Sequence, residues 1–155
     1  MKRARKNFKI FRIIAMLWFI WSLLHIFPGI FSLTNALSGD ITSIQFLFPE
    51  TDPIGMTGDY PNEVAAILVT FGQHGFNLFW FGMVTLVCSI LIWKKHDKTA
   101  GLIALIVGGL ADLGALFATF MIGSIDIWGV LIFVGSFSAV LLSFRAWTYI
   151  STKRP

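Results

Sequence analysis

The amino-acid sequence predicts an all-α protein, a bundle of four transmembrane helices with both termini on the cytoplasmic side. Of its 155 residues, 56% are apolar and only 13% are charged, which is too little polar surface to cover a soluble domain. Four apolar runs are long enough to cross a bilayer, for which about 20 residues suffice. All 12 lysines and arginines lie at one set of run ends, as the positive-inside rule requires of the cytoplasmic face.

The runs and their connections define the expected elements. Helices are expected over residues 13–31, 63–93, 99–122 and 127–150, with a long outer loop over residues 32–62. Residues 1–155 would then form a single membrane domain. Pro28-Gly29 is expected to end or bend the first helix, because the residue before a proline avoids the helical region. The short link after residue 122 makes the last two helices antiparallel neighbours.

The acidic residues support the same orientation. Six of the eight lie on or near the side opposite the lysines and arginines: Asp40, Glu50, Asp52, Asp59, Glu63 and Asp126. The expected location is therefore the cytoplasmic membrane, with the lipid bilayer as the first partner. One alternative stays open, since the basic start, the apolar run and Ala36-Leu37-Ser38 also fit a cleaved signal peptide.

Small residues at helical spacing predict where helices pack. In lipid, helix association depends on close approach at such residues and on interhelical hydrogen bonds. The predicted packing residues are Ala104, Gly108 and Ala115 in the third helix and Gly135, Ala139 and Ser143 in the fourth. The aromatic residues, including 16 phenylalanines and 6 tryptophans, are interpreted as lipid-facing bulk and interfacial anchors.

Three ionisable residues lie within predicted spans, and such residues are functional candidates by default. They are His25, His74 and Asp112, on three different helices and all in the outer half of the membrane. In the second helix, polar residues recur at spacings of three, four and seven, which indicates an inward face. The resulting hypothesis is an outward-opening polar cleft for a small molecule, lined by Ser22, His25, Thr70, His74, Asn77 and Asp112.

Alternatives of other kinds remain. The same polar groups could serve only as hydrogen-bonding glue between helices. Two histidines on separate helices could instead ligate a b-type haem or serve a quinone-linked redox protein. The two histidines and the carboxylate also resemble a metal site in ligand type, but without further ligand spacing no metal site is predicted. No catalytic motif is present, so the chain is expected to be non-enzymatic, with no resident cofactor. The single cysteine, Cys88, allows no intrachain disulfide.

The expected partners follow from the same features. The basic residues lie at the ends of apolar runs and not on one polar face, so a nucleic-acid partner is not expected. A small-molecule ligand, a second copy of the chain or a larger membrane complex all fit a non-enzymatic binder, carrier or accessory subunit. The sequence does not choose among these three partners.

The order of certain residues resembles a known group of proteins. Three features carry the resemblance: His25-x-x-Pro28-Gly29 late in the first helix, Phe79-Trp80-Phe81-Gly82 in the second helix, and a short basic turn after it. This arrangement resembles small bacterial four-helix integral membrane proteins of unknown function. The resemblance implies a cytoplasmic membrane location and no particular chemistry. The first helix lacks the carboxylate expected of small drug exporters.

Overall fold

The computed structural model describes residues 2–44, 61–122 and 127–151. In these ranges the protein is all-α, with four long helices and no strand, which confirms the all-α part of the predicted fold class. The helices are α1 (Lys2–Ser38), α2 (Pro61–Lys95), α3 (Lys98–Ile122) and α4 (Ile127–Ser151), and one 3-10 turn spans Ile41–Ser43. Residues 45–60 of the predicted outer loop and the link 123–126 lie outside the described residues.

The first helix is longer than the sequence pattern indicates. It continues through Pro28 and ends at Ser38, so residues 32–38 are helical and do not belong to the loop. The helix stops where Gly39 adopts a φ of +74°, and the Asp40 amide donates to the Asn35 carbonyl at 3.0 Å. This bond pattern is a glycine C-cap, which terminates the helix ten residues after the proline.

Two of the helices contain segments long and apolar enough to cross a membrane. The segments are Lys9–Ser38 in α1 and Asn62–Lys95 in α2. Pro28 within the first of them removes one backbone hydrogen bond, a loss that membrane helices commonly tolerate.

The chain divides into two compact units, which we call unit 1 (residues 1–24 and 81–155) and unit 2 (residues 25–80). Unit 1 contains the start of α1, the end of α2, α3 and α4. Its buried core is built from two tryptophans, aliphatic residues and several alanines. The core residues are Ile14, Ala15, Trp18, Trp21, Cys88, Ile92, Ala100, Ala104 and Ala139.

Unit 2 contains the end of α1, the 3-10 turn and the start of α2. Its small apolar core is formed by Ile41, Ile44 and Phe71, with Ala36 and Ile67 packed against it. The Asp40 carboxylate accepts a hydrogen bond from the Thr42 amide at 3.0 Å and so caps the 3-10 turn. The turn thereby holds two isoleucines against the beginning of α2.

Candidate functional site

Asp112 is buried in unit 1 and links three helices. Its Oδ2 atom accepts a hydrogen bond of 3.0 Å from Nε1 of Trp21 on α1. The Ser136 hydroxyl of α4 lies within hydrogen-bonding reach of the same carboxyl. Only 8% of the Asp112 surface is exposed. Hydrogen bonds of this kind between helices hold membrane bundles together.

Trp18 forms the second polar link in unit 1. Its side chain is fully buried, and Nε1 donates to Oγ of Ser143 on α4 at 3.1 Å. The indole lies so close to Gly108 of α3 that a β-carbon at that position would clash with the ring. The Ser22 hydroxyl donates to the Trp18 carbonyl at 2.5 Å. Ser22 therefore already has a hydrogen-bond partner within α1.

The two tryptophans are not among the ligand residues predicted from the sequence. Trp18 and Trp21 are 0% and 3% exposed, so neither of them faces lipid as the aromatic residues mostly are expected to do. Their rings contact each other edge to face, with centroids 5.9 Å apart. The signal available in the sequence was their place on one helical face together with His25, at spacings of three and four.

A substitution series separates a structural Asp112 from a functional one. Asp112→Asn keeps an oxygen that accepts from Trp21, so we expect little loss of stability. Asp112→Leu leaves the buried indole N–H without its acceptor and should cost about 1–3 kcal/mol. The midpoint of unfolding by SDS in mixed micelles measures both variants. An Asp112→Leu variant as stable as wild type would contradict the structural role.

The remaining four predicted ligand residues lie in unit 2 and differ in their surroundings. His25 is buried, with 8% of its surface exposed. Thr70 and His74 lie on an exposed face of α2, and Asn77 is half-buried. Ser22 and Asp112 belong to unit 1. The convergence of all six residues in one outward cleft stays a prediction.

The predicted packing residues divide into three groups. Ala104, Gly108, Ala139 and Ser143 are buried in unit 1. Gly135 is exposed, and a β-carbon there would meet no described atom within 4 Å. The side chain of Ala115 lies outside the described residues. Of the five positions whose surroundings are described, therefore, four are buried.

The closest helix approach of unit 2 was not anticipated. A β-carbon on Gly29 of α1 would lie 2.8 Å from the Gly75 carbonyl oxygen of α2. A β-carbon on Gly75 would lie 2.6 Å from the Leu33 backbone nitrogen. Two backbones touch here because neither residue has a side chain. The sequence signals were the small residues Gly29, Ser32 and Ala36 of α1 and Gly72 and Gly75 of α2, because small residues let membrane helices approach closely.

The fold and site define an all-α protein with two helices apolar enough to span a membrane and with buried hydrogen bonds joining α1, α3 and α4 within unit 1. Within the described ranges, no group of three or more His, Cys, Asp or Glu residues could hold a metal ion. No family model, curated protein or solved structure matches the chain.

Proposed function

We propose that the chain is a multi-pass protein of the cytoplasmic membrane whose four helices all cross the bilayer, with both termini inside. We propose further that it acts as a non-enzymatic accessory subunit of a larger membrane complex. α3 and α4 contain 25 residues each. At 1.5 Å per residue such a helix is about 37 Å long, enough for a hydrocarbon core of about 30 Å. The one-sided lysines and arginines support the orientation.

The accessory role rests on one observation, a polar surface that the described part of the chain leaves exposed on α2. Four residues, Ala66, Thr70, Gln73 and His74, form this surface, and all four are exposed. We call it the α2 strip. It lies within the apolar segment Asn62–Lys95, and Gln73 is about 16 Å along the helix from Asn62. The strip would therefore lie well inside the bilayer.

A polar strip at this depth favours a protein partner over lipid. Hydrocarbon offers no hydrogen-bond partner to an amide or an imidazole. A transmembrane helix of another subunit would offer both donors and acceptors. The Thr70 hydroxyl donates to the Ala66 carbonyl of its own helix at 2.8 Å. Because the side chains of Ala66 and Thr70 are short, another helix can approach closely at these two residues. Short residues beside hydrogen-bonding ones are typical of helix interfaces in membranes.

Two other functions compete with this proposal. The buried His25 in α1 favours, as second candidate, a small-molecule binder or carrier that uses the outward polar cleft. A membrane-embedded redox protein would use His25 and His74 for a b-type haem or beside a quinone. A Soret band in the purified protein that disappears in His25→Ala or His74→Ala would replace the accessory role by the redox one.

Cysteine cross-linking tests the partner surface directly. In a Cys88→Ser background, Gln73→Cys places a thiol on the α2 strip. Ile90→Cys places one on an exposed apolar position of the same helix, where Ile90 is 41% exposed. In native membranes, a thiol cross-linker should join the first variant to one protein of defined mass and leave the second unlinked. Equal cross-linking from both positions would contradict a specific interface.

A second arm measures what the polar groups contribute. Gln73→Leu combined with His74→Leu removes two interhelical hydrogen bonds, each worth about 0.6 kcal/mol on average in membranes. We expect this double variant to retain the partner that cross-linking identifies roughly tenfold more weakly in mild detergent. The matched control is Phe76→Leu, an exposed apolar neighbour, which should retain the partner. A cross-linked product made of two copies of this chain would overturn the accessory role in favour of a homodimer.

A further inference from the structure

Unit 1 contains a cavity between its four helices. The cavity has a volume of about 180 Å³ and is partly open to the surface. Its walls are mostly apolar residues from all four helices, and Ser143 adds one hydroxyl; the apolar residues are Phe11, Ile14, Ile92, Leu102, Leu105 and Phe144. Enclosed apolar cavities of about this size bind small apolar molecules. Hydrocarbon is the occupant that these walls fit.

The rim of the cavity has one acidic and one basic residue. Lys98 lies at the rim and is exposed. Asp97 is the acidic residue beside it, but its carboxylate caps α3 by accepting from the Thr99 and Ala100 amides at 2.9 and 3.1 Å. The negative charge of Asp97 is therefore directed toward the helix start, where it interacts favourably with the helix dipole.

Further cations surround this end of unit 1. Arg12 of α1 lies over the Trp93 ring of α2, 5.6 Å from its centroid, so the start of α1 and the end of α2 meet here. Lys94 and Lys95 follow directly and are exposed. Basic pockets between membrane helices on the cytoplasmic side suit the phosphates of anionic lipids.

We propose that this cavity binds an anionic phospholipid, with the first methylenes of one acyl chain between the four helices and the phosphate at Lys98. The apolar walls select hydrocarbon, and Lys98 at the rim selects a negative headgroup. In a zwitterionic phospholipid of the same chains, the ammonium group of the headgroup would offset the attraction between the phosphate and Lys98. The proposal rests on the membrane location stated above but not on the α2 strip, which belongs to unit 2.

A glycine in the cavity wall provides a selective test. Gly101 lines the cavity, and a β-carbon there would meet no described atom within 4 Å. Gly101→Leu should therefore fill the cavity without a clash. Gly114 on the same helix has equally open surroundings but does not line the cavity. Gly114→Leu is thus the matched control for the same change in side chain and in helix propensity.

The measurement is native mass spectrometry of the full chain in detergent, with added phosphatidylglycerol or phosphatidylcholine of identical chains. Wild type and Gly114→Leu should retain phosphatidylglycerol in preference to phosphatidylcholine, and Gly101→Leu should retain neither. Lys98→Gln should bind phosphatidylglycerol about fivefold more weakly, the effect of one cation at an anionic membrane surface.

Three results would overturn the proposal. The first is that Gly101→Leu retains phosphatidylglycerol as wild type does, and the second is that Gly114→Leu loses it to the same extent as Gly101→Leu is expected to. Palmitate that displaces phosphatidylglycerol at equal concentration would assign the cavity to a free fatty acid. Because the preparation contains only this chain and added lipid, the result is independent of whether a partner subunit binds the α2 strip.

Discussion

Gly29→Ala and Gly75→Ala are each expected to destabilise unit 2 by about 3 kcal/mol. The added β-carbon would lie 2.5 to 2.9 Å from backbone atoms of the opposite helix, and backbone atoms cannot rotate away as a side chain can. The two helices would have to separate, which removes the dispersion contacts that hold membrane helices together. The higher helix propensity of alanine, worth up to about 1 kcal/mol, offsets only part of this loss.

The control for this experiment is Gly114→Ala in α3. A β-carbon there meets no described atom within 4 Å, so we expect unchanged or slightly higher stability. The stability of unit 2 in all three variants is measured by unfolding in SDS, monitored by hydrogen exchange of peptides from residues 25–80. If Gly29→Ala and Gly75→Ala were as stable as Gly114→Ala, the close crossing of α1 and α2 would be wrong.

Trp18→Ala is expected to destabilise unit 1 by about 3 kcal/mol, the lower range for removing a large buried aromatic side chain. The substitution empties the space against Gly108 and removes the donor to Ser143. In lipid the transfer of apolar surface contributes little, so the loss comes mainly from packing. Trp18→Phe retains most of the ring volume and should cost about 1 kcal/mol for the lost hydrogen bond.

An exposed tryptophan provides the comparison for Trp18. Trp93 is 47% exposed, and its contact with Arg12 is worth about 0.5–1 kcal/mol at such a site. Trp93→Ala and Trp18→Phe should therefore lower the SDS unfolding midpoint only slightly, and Trp18→Ala should lower it far more than either. Equal midpoints for Trp18→Ala and Trp93→Ala would show that the Trp18 site is not a packed core.

Local chemistry made the helix ends partly predictable from sequence. Asp97 in the basic link caps α3, and an acid directly before an apolar run is a recognisable start signal. At the end of α1, Gly39 followed by Asp40 carries the stop signal, whereas Pro28 only removes one hydrogen bond. Pro28 was a misleading signal for the end of α1, because a proline that ends a helix in water and a proline that a membrane helix tolerates have the same sequence pattern.

The buried faces were harder to predict, for a physical reason. In a soluble protein apolar residues mark the interior, but in lipid both the interior and the exterior are apolar. The polar residues Thr70 and His74 were therefore predicted to lie on an inward face, whereas the structure exposes them and buries Phe71 and Gly75 on a neighbouring face of α2. Gly75 is buried because it has no side chain and the backbone of α1 at Gly29 packs directly against it. The partner is a residue of another helix, so the pattern within α2 does not reveal this contact.

The central claim, that four helices span the membrane with both termini inside, is tested most directly by thiol accessibility. Single cysteines in a Cys88→Ser background are placed at or just beyond the end of each helix, as Ser38→Cys, Lys95→Cys, Ser124→Cys and Lys153→Cys. In right-side-out vesicles, an impermeant maleimide should label the first and third variants at once. The second and fourth should react only after the membrane is opened. A shielded Ser124→Cys, or immediate labelling of Lys95→Cys, would contradict the four-span topology.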